Sequence, residues 1–233
     1  MLLAELEVWH SRPITPTRRV ALGHLVLPVD PAPGFGGLLL GAVVAAHVGD
    51  VDDELVPDLY RLVNEIEGGR RIVQPRLRHR YQVDRHGLAR STHRLTGEGE
   101  EINFSFENHG SSLQQVLGAI YAVERLGPDV RHPIATVLHR GLRWTGPIGP
   151  SLIAHLAGST GLQGGSLAAL VDPVAWALDV LGFPPGTTAP ERREVNNRYR
   201  VRLMEVHPDH GGDEVVASKA IVDLGEARRI LLR

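Results

Sequence analysis

A pair of amphipathic helical segments separated by a proline restricts what the C-terminal quarter of this 233-residue chain can fold into. The first segment, residues 190–206, repeats apolar side chains at helical spacing. His207-Pro208-Asp209 and two glycines then interrupt the helix, because proline cannot continue it. The second segment, residues 213–231, carries another apolar stripe. Because the interruption is short, the sequence predicts an antiparallel helical hairpin.

A short helix that begins at Pro173 and ends at Gly182 is predicted to pack beside this hairpin. The residues predicted to form the shared core end the short helix or recur at helical spacing: Leu181, Val195, Tyr199, Leu203, Leu224, Ala227 and Leu231. Arg198, Arg200 and Arg202 fall away from that apolar face, so they are predicted to face solvent.

Residues 172–233 resemble the J-domain, the module by which DnaJ-type co-chaperones engage DnaK-type chaperones. The motifs that carry the resemblance stand in the family's order: Leu181-Gly182, then Tyr199-Arg200, then His207-Pro208-Asp209 with a Gly-Gly-Asp turn, and finally Glu226-Ala227 and Leu231. The motifs in the helical segments on both sides lie at the family's spacing from His207-Pro208-Asp209, which makes the resemblance more specific than the tripeptide alone would be.

The resemblance implies a non-enzymatic bacterial co-chaperone that needs no cofactor. Arg198, Arg200 and Arg202 would dock on an acidic surface of the chaperone's nucleotide-binding domain. His207-Pro208-Asp209 would then promote ATP hydrolysis by the chaperone. The chain lacks a Gly-x-x-x-x-Gly-Lys loop, which agrees with a protein that binds no nucleotide itself.

The C-terminal segment departs from the family at five positions. One of them is His210, which stands where a lysine often follows the tripeptide. Val201 and Glu205 stand where lysines are frequent, so the second helix is less basic than is usual. Arg228 replaces an aromatic residue after the Glu-Ala pair, and Ile221 replaces a phenylalanine. A domain that binds the chaperone without stimulating it therefore stays an alternative.

The N-terminal part, residues 1–145, is predicted to be an α+β domain with an antiparallel sheet. Alternating or apolar segments predict strands at 2–9, 18–29, 75–83, 88–95 and 101–107, the last three as a meander. Helical periodicity predicts helices at 38–48, 52–67, 111–126 and 133–140. Glycine-rich residues 146–171 are predicted to connect this domain to the helical domain, residues 172–233. The N-terminal domain would supply a client or a specific partner.

Arginines alternate with other residues in the predicted strand at 75–83. Arg76, Arg78 and Arg80 would share one sheet face, which could contact nucleic-acid phosphates. Few aromatic residues accompany them to stack on bases. A solvated arginine face is the favoured interpretation, and a nucleic-acid or ribonucleoprotein binder is the alternative function.

The composition of the chain limits which classes of function and which cellular location are expected. The formal net charge is −2, which gives no global attraction to nucleic acid or membranes. The chain has no cysteine, which excludes disulfides and thiolate metal sites. The twelve histidines show no metal-ligand spacing, so no metal site is predicted. No apolar run could span a bilayer, and Glu5 and Glu7 stand where a signal peptide is basic, so a cytoplasmic protein is expected.

Overall fold

The structure, a computed structural model, describes residues 1–12, 18–70, 77–98, 101–107, 109–158, 173–184, 186–206 and 214–232. The chain divides into two compact units, Met1–Ala157 and Gly158–Arg233. A five-stranded sheet with helices forms the first unit, and its α+β class is confirmed. The described part of the second unit is helical.

Alternating side chains place one face of the sheet in the core. The strands are β1 Leu2–His10, β2 Arg18–Val26, β3 His79–Tyr81, β4 Ala89–Glu98 and β5 Glu101–Phe106, in the spatial order β3-β2-β1-β4-β5. Along β1, Ala4, Leu6 and Val8 are buried, whereas Glu5 and Glu7 lie on the opposite face and are half-buried. This period of two is the signature of a sheet covered on one side.

The predicted meander is wrong at its first strand, and the sheet is mixed rather than antiparallel. β3 does not pair with β4 but runs parallel to β2 at the other edge, with Arg19 opposite Arg80. It is also shorter than predicted, because Leu77 and Arg78 have φ angles of 52° and 61°, which no strand accommodates. The remaining neighbours, β1–β2, β1–β4 and β4–β5, are antiparallel.

Five helices accompany the sheet in the described part of the first unit. They are α1 Gly34–His47, α2 Val56–Glu67, α3 Ser112–Ala122, α4 Pro128–Leu142 and α5 Pro150–Ala157. The apolar helix α1 is buried along residues 36–44, since β1, α3, α4 and α5 all contact it. Helix α4 begins five residues before its predicted start, because Pro128 occupies the first helical turn and Pro133 lies inside the helix.

The first unit extends beyond residue 145, where the connection was predicted to follow. Leu152, Ile153 and Leu156 of α5 are buried, and α5 packs against α1 and α4. Residues 146–157 therefore belong to the first unit. Glycines in this stretch indicated a linker, but three apolar side chains on one helical face are enough to join the core.

The second unit contains α6 Pro173–Val180, α7 Arg192–Glu205 and α8 Glu214–Leu231. Both α6 and α7 pack against α8. Arg228 contacts Asn196 and Tyr199, so the C-terminal half of α8 lies beside the N-terminal half of α7.

Helices α1 and α4 approach so closely at Gly41 and Gly141 that a larger residue cannot fit. A Cβ at position 141 would lie 2.5 Å from the Gly41 carbonyl oxygen. We expect Gly141→Ala to lower the free energy of unfolding by about 1–3 kcal/mol through overpacking, although alanine favours helices over glycine. Urea denaturation measures this change. Gly49→Ala is the control, because a Cβ there meets no atom within 4 Å; equal midpoints for the two variants would contradict the close approach.

Candidate functional site

The motif at the centre of the predicted function falls between two described helices. α7 ends at Glu205 and α8 begins at Glu214. His207, Pro208 and Asp209 lie outside the described residues, as does Arg76. The site is therefore built from the helices on both sides of the tripeptide.

The predicted core residues of the helical unit differ in burial. Leu181, Val195, Leu224 and Ala227 are buried. Tyr199, Leu203 and Leu231 are half-buried. Phe183, which the sequence did not single out, is also buried and lies in the loop between α6 and α7.

Arg198 does not face solvent freely, contrary to the prediction. Its guanidinium stacks on the Phe183 ring at 4.4 Å from the ring centroid and donates a hydrogen bond to the Gly182 carbonyl oxygen. It also donates to Glu194 Oε1 at 3.2 Å. Helical periodicity placed Arg198 off the core, but the α6–α7 loop folds over that side of α7 and covers it. Arg198 thus holds the loop to the helix.

Arg202 lies close to Gly182 on the same side of α7, but it stays exposed. Gly182 has a φ angle of +68°, and a Cβ there would lie 2.6 Å from Arg202 Nη2. Glycine is the residue that tolerates both conditions. Arg202 also pairs with Glu205 at 3.1 Å. Of the three predicted docking arginines, Arg200 is the exposed one without an ion pair inside the described part of the chain.

The predicted nucleic-acid face is only partly assembled. Arg80 lies in β3 and Arg78 in the turn before it, and both side chains are exposed. The arginines of β4, which β2 and β1 separate from β3 in the sheet, are neutralised, since Arg90 pairs with Glu7 at 3.3 Å and Arg94 pairs with Glu5 at 2.7 Å. The uncovered sheet face therefore carries both signs of charge rather than a continuous basic strip.

The Glu7 carboxylate, which pairs with Arg90, is stabilised in its ionised form by its surroundings. Burial by itself would raise the pKa of Glu7, but the hydrogen bonds from the His24 amide and the Trp9 indole, together with the Arg90 charge, lower it below the ordinary value. The carboxylate is thus held ionised in the sheet, and it competes with any phosphate for Arg90.

A buried chain of polar side chains, which the sequence did not reveal, links β1, β4 and α3. His93 Nε2 donates to Gln115 Oε1 at 2.9 Å, and Gln115 Nε2 donates to Ser91 Oγ at 3.2 Å. Ser91 Oγ also accepts from the His109 amide at 3.2 Å. Its own proton therefore points to His10 Nε2, 3.0 Å away. One consistent direction of donation thus fixes the tautomers of both imidazoles.

This cluster is a structural network rather than a catalytic pair. Ser91 and His10 are 0% and 1% exposed, so substrate cannot reach the hydroxyl. Burial lowers the pKa of His93 to about 4, and it lowers the pKa values of His10 and His47 as well. All three imidazoles are consequently neutral in the folded protein near pH 7.

A scan against protein-family models, a search of curated proteins and a search of solved structures each found no match to this chain. Within the described ranges, no group of three or more histidine or acidic side chains could hold a metal ion. No described helix is long and apolar enough to cross a bilayer. The function is therefore inferred from the chain's own residues and their contacts.

The buried histidines predict that the first unit loses stability as the pH falls. His93 binds its proton at pH 6.5 when unfolded but only at about 4 when folded, so its contribution is complete above pH 6.5 and declines as the pH falls towards 4. For His93 alone the loss is about 3 kcal/mol. Urea denaturation from pH 7 to pH 4 measures it. His93→Gln should make the profile less steep, since His10 and His47 still contribute, whereas exposed His86→Gln should leave the profile unchanged. A flat wild-type profile would refute the mechanism.

Proposed function

We propose that the chain is a cytoplasmic J-domain co-chaperone that binds a DnaK-type chaperone and stimulates its ATP hydrolysis. The observation that carries this proposal is the setting of the His-Pro-Asp tripeptide. In the sequence, the tripeptide lies between α7 and α8. Both α7 and α6 pack against α8. Val195, a predicted core residue of α7, and Ala227, of the Glu-Ala pair in α8, are both buried.

The chemistry of the tripeptide suits a docking loop. Proline, the residue at position 208, cannot continue a helix, and it disfavours helical backbone angles in the residue before it. Asp209 carries a carboxylate that can accept charge-assisted hydrogen bonds from an arginine of the chaperone. The nucleotide belongs to the chaperone, and this chain contributes contacts that favour the hydrolysing conformation of its partner.

We assign the first unit to the recognition of a client or a specific partner. It has its own core around α1 and its own sheet, which is how a separately acting domain is built. Its uncovered sheet face, with paired charges and exposed Arg78 and Arg80, is available for a protein partner of mixed charge.

The single-turnover ATPase rate of the host's DnaK-type chaperone tests the proposal. We expect the wild-type chain to accelerate hydrolysis, and we expect His207→Gln to lower that acceleration by about tenfold or more, equivalent to ~1.4 kcal/mol in the barrier. Exposed His86→Gln is the matched control and should act like the wild type. If the wild-type chain does not accelerate ATP hydrolysis by the chaperone, the proposal is wrong. Binding without acceleration would leave a binding-only adaptor.

A second candidate, a nucleic-acid or ribonucleoprotein binder, is favoured by the exposure of Arg78 and Arg80 at a sheet edge. Phosphate contacts by arginine weaken as salt rises, so filter binding to RNA at several salt concentrations detects them. We expect the Arg78→Gln/Arg80→Gln variant to stimulate the chaperone as the wild type does. If the wild type binds RNA and this variant does not, while Arg61→Gln/Arg143→Gln still does, the second candidate is supported.

A further inference from the structure

The outward side of α7 carries polar residues at helical spacing that the core does not use. Arg193, Asn196, Asn197 and Arg200 follow one another at i, i+3, i+4 and i+7, which places them on one face. Together with Arg228 of α8 they line an open groove of about 760 Å³. The groove lies within the second unit, on the N-terminal half of α7.

Arg228 is the residue of this groove whose orientation is most restricted. Its guanidinium lies over the Tyr199 ring at 5.0 Å from the centroid, and its Nε donates to Asn196 Oδ1 at 2.8 Å. Both contacts leave the two terminal Nη groups without a carboxylate partner among the described residues. A guanidinium held in one orientation can donate two parallel hydrogen bonds to the two oxygens of a carboxylate without further ordering.

The groove has a local excess of positive charge, although the whole chain has a net charge of −2. Two acids also line it, Glu191 and Glu194. Glu194 is engaged by Arg198, whereas Arg193 and Arg200 have no ion pair within the described residues. The unpaired arginines of the groove therefore outnumber its unpaired acid, Glu191.

We propose that this groove binds an acidic segment of the partner, with Arg228 as the carboxylate anchor. The third helix thus joins the second in making the docking surface, and it does so at the position where Arg228 replaces an aromatic residue. The proposal deepens the proposed function and rests on it for the identity of the partner, a DnaK-type chaperone.

Carboxylates suit the groove better than a phosphate backbone does. Glu191 and Glu194 stand on its wall and would repel a continuous row of phosphates. A peptide can place its carboxylates on Arg193, Arg200 and Arg228 while its backbone amides face the two glutamates. The exposed Asn197 side chain can donate to a peptide carbonyl.

Fluorescence anisotropy of a labelled peptide that alternates glutamate with glycine, titrated with the full chain at low salt, tests the groove directly. We expect Arg228→Gln to weaken binding by about tenfold, because a bidentate, pre-oriented pair is lost. Arg192→Gln is the matched control, since Arg192 is exposed at the start of α7 and does not line the groove. We expect it to weaken binding by less than about twofold, as a single exposed charge does.

Arg228→Lys provides a second variant that keeps the charge but not the fork, and it should bind between the wild type and Arg228→Gln. Equal losses in Arg192→Gln and Arg228→Gln would overturn the assignment of the groove, as would absence of wild-type binding. Tighter binding of single-stranded DNA through the same arginine would overturn the carboxylate preference.

The ATPase assay separates this inference from the proposed function. We expect Arg228→Gln to raise the concentration of this chain that half-saturates the stimulation, with the maximal rate retained, whereas His207→Gln lowers the maximal rate. If the wild type fails to stimulate but the peptide titration behaves as expected, the proposed function fails and the groove stands. If Arg228→Gln stimulates the chaperone with the same half-saturating concentration as the wild type, the groove has no role in docking, and the proposed function is unaffected.

Discussion

Burial of α1 on all its sides is the constraint on which the first unit depends. An apolar helix of this kind must be covered by the sheet on one side and by other helices on the rest. β1, α3, α4 and α5 supply that cover, and the crossing with α4 is close enough to require glycine on both helices. The position of α5 explains why the unit continues past the glycine-rich stretch that follows α4.

Covering the inner sheet face also encloses polar groups, and these groups must find partners inside. His93, Gln115, Ser91 and His10 hydrogen-bond to one another in one direction of donation, whereas Nδ1 of His10 and Nδ1 of His93 have no hydrogen-bond partner among the described residues. The network favours one register of β1, β4 and α3, because a shift of any of these elements would separate the bonded side chains. The same burial keeps the imidazoles neutral, so this internal order is tied to the pH of the surroundings.

The second unit distributes its arginines between two tasks. Arg198 holds the α6–α7 loop through Phe183 and Gly182, and Arg202 lies beside Gly182 and pairs with Glu205. Arg200, by contrast, faces a groove that Arg228 completes from α8. The basic surface available to a partner is therefore displaced from the one that helical periodicity predicted, and it is divided between two helices.

The sequence alone determined the features that repeat along the chain. The strands β1, β2, β4 and β5, the buried character of α1 and the helical segments around His207-Pro208-Asp209 follow from local periodicity and from proline and glycine positions. Periodicity reports which side of an element is apolar. It does not report which distant element covers that side.

Only the tertiary structure decided the features that depend on distant segments. β3 joined β2 instead of β4, Arg198 came under a loop, and Arg228 met Asn196 across the helix pair. The buried histidines likewise come from separate elements, β1, α1 and β4, whose spacing in the sequence carries no signal of their proximity. These features share one physical cause. A long-range contact depends on how the surfaces of two elements fit together, whereas a local sequence pattern describes the surface of one element only.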